Sequence, residues 1–211
     1  MRRVVWMALL ALALPLAAWA DSTSIFSDYG GKITLGAGNT LWLSNSTLDS
    51  FTLDGVTTGG KGFNLGSVNF TTGGLISGSM GGGGVFASGG SFTVMGNGTN
   101  GLANGVLFSG TFSNPVDWIA TWNPAGDGGK GNWTYVLTGA LSGTLSDGSP
   151  VSGATAQFTF DVPGSKPFSK SVRLSSGVTT VTVPEPGTLA LFGTGMVGLV
   201  GLMRRALKTK T

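Results

Sequence analysis

The feature that most constrains the fold of this chain is the side-chain pattern across residues 116–160. Trp118, Ala120 and Trp122 occupy alternate positions, and after a glycine-rich loop at 123–131 so do Trp133, Tyr135, Leu137 and, further on, Leu141. Asp147-Gly148-Ser149-Pro150 turns the chain, and Ala154, Ala156, Phe158 and Phe160 alternate once more. A period of two sends successive side chains to opposite faces of a strand, so each run presents one large apolar face. Three such runs joined by turns predict an antiparallel meander with an aromatic core.

The rest of residues 21–183 reads in the same way. Alanine, leucine, glutamate and lysine are scarce there, glycine, serine and threonine dominate, and no segment sustains a helical period with caps. Ile33-Thr34-Leu35 and Leu41-Trp42-Leu43 are strand candidates around a Gly36-Ala37-Gly38-Asn39 turn. Phe51-Thr52-Leu53 stops at Asp54-Gly55, a hairpin dipeptide. Val68-Asn69-Phe70, residues 92–95, the alternating Val106, Phe108, Gly110 and Phe112, and residues 172–174 and 178–183 complete the set. Residues 73–90, with four glycines at 81–84, read as a flexible loop or a pair of marginal edge strands. About eight to eleven short strands with frequent turns predict an all-β, antiparallel sandwich-like domain. A β-solenoid is the alternative, although no clean period of 20–50 residues emerges.

Composition limits the chemistry. Histidine and cysteine are absent, and Glu185 is the only glutamate. That removes Ser-His-Asp and Cys-His catalysis and any ordinary zinc site. A glycosidase acting through aspartates alone is the remaining enzymatic reading, with Asp117, Asp127, Asp147 and Asp161 as its only conceivable pair sources. Asp127 and Asp147 stand in Asp-Gly dipeptides, where aspartate serves the turn itself. Calcium suits an oxygen-only inventory, at Asp127 or Asp147, but no Asp-x-Asp-x-Asp-Gly loop occurs. The expectation is therefore a non-enzymatic protein without catalytic residues, metal or cofactor.

Trp42, Trp118, Trp122 and Trp133 are candidates for a sugar-stacking platform, as in a carbohydrate-binding module. Core packing is the favoured reading for Trp118, Trp122 and Trp133, whereas Trp42 alternates with Leu41 and Leu43 and so faces away from them. Asn-x-Ser/Thr triplets start at Asn45, Asn69, Asn97 and Asn132, a number that chance supplies in so polar a chain.

Both ends are of a different kind. Met1-Arg2-Arg3, the apolar residues 4–16 and Ala18-Trp19-Ala20 read as a signal peptide over 1–20, cut by signal peptidase after Ala20. At the other end, residues 184–211 contain Pro184-Glu185-Pro186, an apolar run at about 188–203 and a basic tail at 204–211 with Arg204, Arg205, Lys208 and Lys210. The prolines hold an extended segment. The apolar run satisfies its own backbone only as a membrane helix, and the basic cluster stays on the cytoplasmic side. About 16 residues span ~24 Å as a helix, short of a ~30 Å hydrocarbon core, a gap that snorkelling side chains and local thinning close. These termini hold six of the 12 positive charges; between them six Lys/Arg face eight Asp, a balance of −2. The basic balance thus reports membrane topology and not nucleic-acid binding.

Pro-Glu-Pro, an apolar helix and a terminal arginine cluster, in that order, resemble the PEP-CTERM sorting signal of Gram-negative bacteria, which is similar in logic to the LPXTG signal of Gram-positive ones. The resemblance implies recognition of Pro184, Glu185 and Pro186 by a membrane-embedded exosortase, with Arg204 and Arg205 holding the helix in a stop-transfer orientation. It implies export across the inner membrane, a membrane-anchored precursor, and a final place at the cell surface or in an exopolysaccharide-rich biofilm matrix. It covers about the last thirty residues and leaves the role of the others open.

Overall fold

The computed structural model describes residues 22–183, apart from residue 54, and Thr23–Val183 forms one compact unit. The expected signal peptide with Ala18 and Ala20, the Pro184-Glu185-Pro186 motif, the apolar run at 188–203 and the basic cluster of Arg204, Arg205, Lys208 and Lys210 lie outside the described residues. Among the described residues no helix is long and apolar enough to cross a membrane.

Twelve strands follow in order: β1 (Ser22–Leu35), β2 (Leu41–Leu53), β3 (Val56–Gly59), β4 (Gly66–Thr71), β5 (Leu75–Ser79), β6 (Gly83–Phe86), β7 (Gly89–Asn97), β8 (Asn104–Phe112), β9 (Val116–Asn123), β10 (Asn132–Leu145), β11 (Pro150–Pro163) and β12 (Ser171–Val183). A 3-10 turn at Ala37–Asn39 and a one-turn helix at Gly126–Gly129 are the helical pieces among the described residues. The predicted meander is present as β9–β10–β11, and β2 pairs with β3 up to Leu53 opposite Val56.

The sheet order β11–β12–β1–β2–β4–β7–β8–β10 returns to its start because β10 also pairs with β11, closing a barrel of eight strands. Neither the expected β-sandwich nor the alternative β-solenoid is therefore the fold. Sandwich and barrel share the same in-out alternation, so the period of two could not distinguish them. What decides is the long-range pairing of β12 with both β11 and β1, which joins the first strand to the last. Beyond the ring, β3 extends β2, and β9, β6 and β5 branch from β10. β10 serves both parts: residues 141–145 pair with β8 and residues 132–138 with β9. The glycine-rich stretch 73–90 contributes two real strands, β5 at the branch edge and β6 seated between β5 and β9.

An eight-stranded barrel has an interior that side chains can just fill. Here phenylalanines fill it. Phe70 lies 4.7 Å from Phe158 and 5.9 Å from Phe112, centroid to centroid, and Phe92 lies 6.0 Å from Phe112. Gly139 makes room for this cluster, since a Cβ there would stand 2.6 Å from the Phe112 ring. A second cluster ties the branch to the barrel: Trp118 stacks on Tyr135 at 5.0 Å, and Phe160 and Phe168 pack around both. The Tyr135 hydroxyl donates to the Gly81 carbonyl at 2.8 Å and accepts from the Phe168 N–H at 2.8 Å.

The outer surface is different. Lys32 sits opposite Ser44; the neighbouring Asn45 N–H donates to Asn69 Oδ1; and the row continues through Thr93, Ser109 and Thr144. Apolar residues within and a hydroxyl and amide belt without is the reverse of a lipid-facing barrel wall. One expected face is broken. Val106 is 45% exposed while Leu107 is 7% exposed, because an irregularity opposite Val94 and Met95 shifts the register of β8.

Candidate functional site

The most distinctive irregularity of the barrel wall lies where β1 and β2 break step together. Tyr29 pairs with Thr47 and Lys32 with Ser44, which leaves Gly30-Gly31 opposite Asn45-Ser46. Gly30 and Gly31 have φ of 72° and 66°, and Asn45 has φ of 54°, left-handed values that glycine takes freely and asparagine better than most. A Cβ on Gly31 would fall 2.6 Å from the Ser46 nitrogen, so only glycine allows this approach.

The double kink dents the outer wall into an open groove of about 950 Å3, bordered also by the start of β12 through Ser171, Val172, Arg173 and Leu174. Lys32 and Arg173 are its cations, Tyr29, Ser44, Asn45, Thr47 and Ser171 its polar groups, and no carboxylate lines it. Leu35 N–H donates to the Lys170 carbonyl at 2.9 Å, which fixes β12 against β1 at one end of the groove.

Behind the same two strands, on the inner face, lies a buried acid. Asp28 is inward-facing beside Phe26, and its Oδ2 accepts from the Ser46 hydroxyl at 2.5 Å. Its Oδ1 has no hydrogen-bond partner among the described residues, nor do Asp49 Oδ1 and Thr179 Oγ1. Gly177 on β12 gives the carboxylate its space, since a Cβ there would meet Asp28 Oδ1. Burial raises the Asp28 pKa to about 7; the Ser46 hydrogen bond opposes that rise, and the Asp49 charge adds to it. Asp49 is near because it is the extra residue of a bulge: Ser27 faces Ser50, and Asp28 faces Leu48.

The tryptophans separate into three situations. Trp118 is 2% exposed and donates from Nε1 to the Met80 carbonyl at 3.0 Å, so it belongs to the core. Trp122 and Trp133 face each other across β9 and β10 with centroids 5.4 Å apart; Trp122 is 37% exposed, and Trp133 donates to the Ser165 carbonyl. Trp42 is 50% exposed, on the outer face of β2 two residues before Ser44, and its Nε1 donates to Thr40 Oγ1 at 3.1 Å. The structure therefore does not bring the four together.

The aspartates are scattered too. Asp117 faces Thr138 from β9 and Asp161 faces Thr134 from β11, on opposite sides of β10. Four residues along a strand is about 13 Å, beyond the ~5–9.5 Å that a glycosidase pair requires. Asp127 and Asp147 sit in turns at opposite ends of β10. Asp161 accepts from Thr134 and Asn132, and backbone and side-chain hydrogen bonds from Ser149 lower the Asp147 pKa. Among the described residues no three His, Cys, Asp or Glu side chains gather as a metal site. Asn69 Oδ1 accepts from the Asn45 N–H, Asn97 Nδ2 donates to the Asn64 carbonyl and Asn132 Nδ2 donates to Asp161, while Asn132 Oδ1 is buried without a partner among the described residues.

Sequence reasoning missed the groove and Asp28. The signal was present as Gly30-Gly31 between Tyr29 and Lys32, and as an aspartate in step with Phe26.

The fold and these sites define a β-barrel domain with a packed interior and a polar outer wall, whose last strand ends at Val183. A PEP-CTERM protein-sorting motif is matched over residues 182–205, so it begins in the last two residues of β12. The chain carries the signal of an exported protein that an exosortase sorts to the cell envelope or surface. Neither a curated protein nor a solved structure matches the chain.

Proposed function

We propose that this chain is a non-enzymatic component of the cell surface or extracellular matrix, delivered by a signal peptide and sorted to its destination through exosortase processing at Pro184-Glu185-Pro186. The observation that carries the reading is the sorting motif at 182–205, which starts where the barrel ends. A protein with no histidine or cysteine and with its aspartates dispersed over turns and separate strands is better suited to a structural or binding role than to hydrolysis. Replacement of Pro184-Glu185-Pro186 by three alanines is expected to leave a larger, membrane-retained precursor, read as intact mass in membrane and surface fractions. Normal maturation of that triple variant would sink the sorting reading.

A second reading is a carbohydrate-binding domain in an exopolysaccharide matrix. It is favoured by one observation, an open groove lined by the Tyr29 ring and by the hydroxyl and amide groups of Ser44, Asn45, Thr47 and Ser171. Aromatic faces suit the apolar faces of sugar rings, and hydroxyl and amide groups suit their edges.

A further inference from the structure

We propose that the groove between β1, β2 and β12 binds an acidic polysaccharide, with Lys32 and Arg173 meeting its carboxylates and Tyr29 stacking on a sugar ring. The proposal rests on the carbohydrate-binding reading above and adds the site and the charge of the ligand.

Residues 21–183 carry more aspartates than cations, yet two of their six cations line one groove and no carboxylate does. Among the described residues neither Lys32 nor Arg173 has an ion-pair partner. Lys170, a third cation, directly precedes Ser171 at the groove edge. Left without a carboxylate, these groups suit an anion brought by a ligand, and the arginine fork matches a carboxylate in two hydrogen bonds.

The dent depends on Gly30, Gly31 and Asn45 in left-handed conformations, so it belongs to the backbone and does not have to form on binding. Tyr29 lines the groove beside Gly30 and is 39% exposed, so its ring is open to a ligand. A groove formed before binding lowers the ordering cost. Ser44 and Thr47 supply the hydroxyl groups that a sugar needs between its charges.

A nucleic acid is the poorer match. It brings one charge per nucleotide and calls for a continuous basic track with several stacking rings. This domain is net acidic, and its groove offers a single ring, Tyr29.

The test is affinity gel electrophoresis of the purified full-length protein at low salt, with polygalacturonate, its fully methyl-esterified form, dextran and poly(dT) in separate gels. Retardation by polygalacturonate alone is expected, weakening as salt rises. Lys32→Gln with Arg173→Gln should reduce that affinity about tenfold, as should Tyr29→Ala, with the melting temperature unchanged. The exposed pair Lys61→Gln with Lys130→Gln should leave it unaltered, and the single Arg173→Gln variant repeats the test with less change to the surface. Equal binding of the methyl ester overturns the acidic groove but keeps the carbohydrate reading. Binding to none of the three glycans overturns both. Equal loss in the Lys61/Lys130 control, or tighter retention by poly(dT), overturns the proposal as well.

Discussion

Asp28 gives the sharpest test of the barrel interior. Its carboxyl is buried, one oxygen lacks a partner, and its pKa rises from 3.8 to about 7 through loss of hydration, with the Asp49 charge adding to the rise. A carboxyl whose folded pKa exceeds its unfolded pKa binds more protons when folded. Its contribution to stability is therefore greatest below about pH 4 and is lost as the pH rises towards 7. About three pKa units correspond to ~4 kcal/mol, and in a domain of this size that is roughly 10 °C in melting temperature. Asp28→Asn cannot ionise and escapes the loss. The assay is thermal unfolding by circular dichroism of wild type and Asp28→Asn from pH 4 to 8. The difference between them, Asn minus Asp, should grow in favour of Asn by about 10 °C over that range. Comparing the two proteins cancels the other carboxyl groups, which titrate in both. A difference that stays constant within about 2 °C would refute the buried-acid account.

Other expectations follow from the packing. Phe158→Ala removes the ring nearest Phe70 in the barrel lumen and should cost about 3–5 kcal/mol in urea unfolding, with an unchanged midpoint contradicting a filled interior. Gly139→Ala places a Cβ 2.6 Å from the Phe112 ring and should cost about 1–3 kcal/mol by the same measurement, against the usual gain from replacing a strand glycine. Tyr135→Phe removes the hydroxyl bridging Gly81 and Phe168; about 1–2 kcal/mol and faster hydrogen exchange at the Phe168 amide are expected.

Local features of the fold were legible because they rest on neighbouring residues. The Trp118, Tyr135 and Phe158 alternations mark β9, β10 and β11, and Asp54-Gly55 marks the β2–β3 hairpin. Strand length was not legible. Gly30-Gly31, Gly139, Gly143 and Gly177 look like turn residues, yet they lie inside strands of 13 or 14 residues, at kinks or where another chain segment or ring comes close. Closure was not legible either, since it depends on β1 meeting β12, a pairing that leaves no mark on local periodicity. The groove escaped notice for the same reason. Lys32 and Arg173 are far apart in sequence, and only the ring places them in one concavity. The sorting motif behaves oppositely: it is a short linear signal, read from consecutive residues whatever precedes them.

The join between barrel and signal has a consequence for folding. β12 lies between β11 and β1, so the ring cannot close without it, and this strand ends at Val183, directly before Pro184. A chain ending at residue 170 would lack that strand. It would expose two long edges, those of β1 and β11, each 14 residues long, and would uncover inner residues such as Phe26 and Phe158. Open edges of that length invite pairing between chains. Expressed without its signals, the domain ending at residue 183 should therefore be monomeric and resist trypsin. The version ending at residue 170 should aggregate or be cut at its lysines. A monomeric 170-residue endpoint that melts cooperatively at the same temperature would show that β12 does not close the ring. With β12 required, the last strand of the barrel overlaps the sorting motif at residues 182 and 183, so a chain that carries the complete signal also carries every strand of the ring.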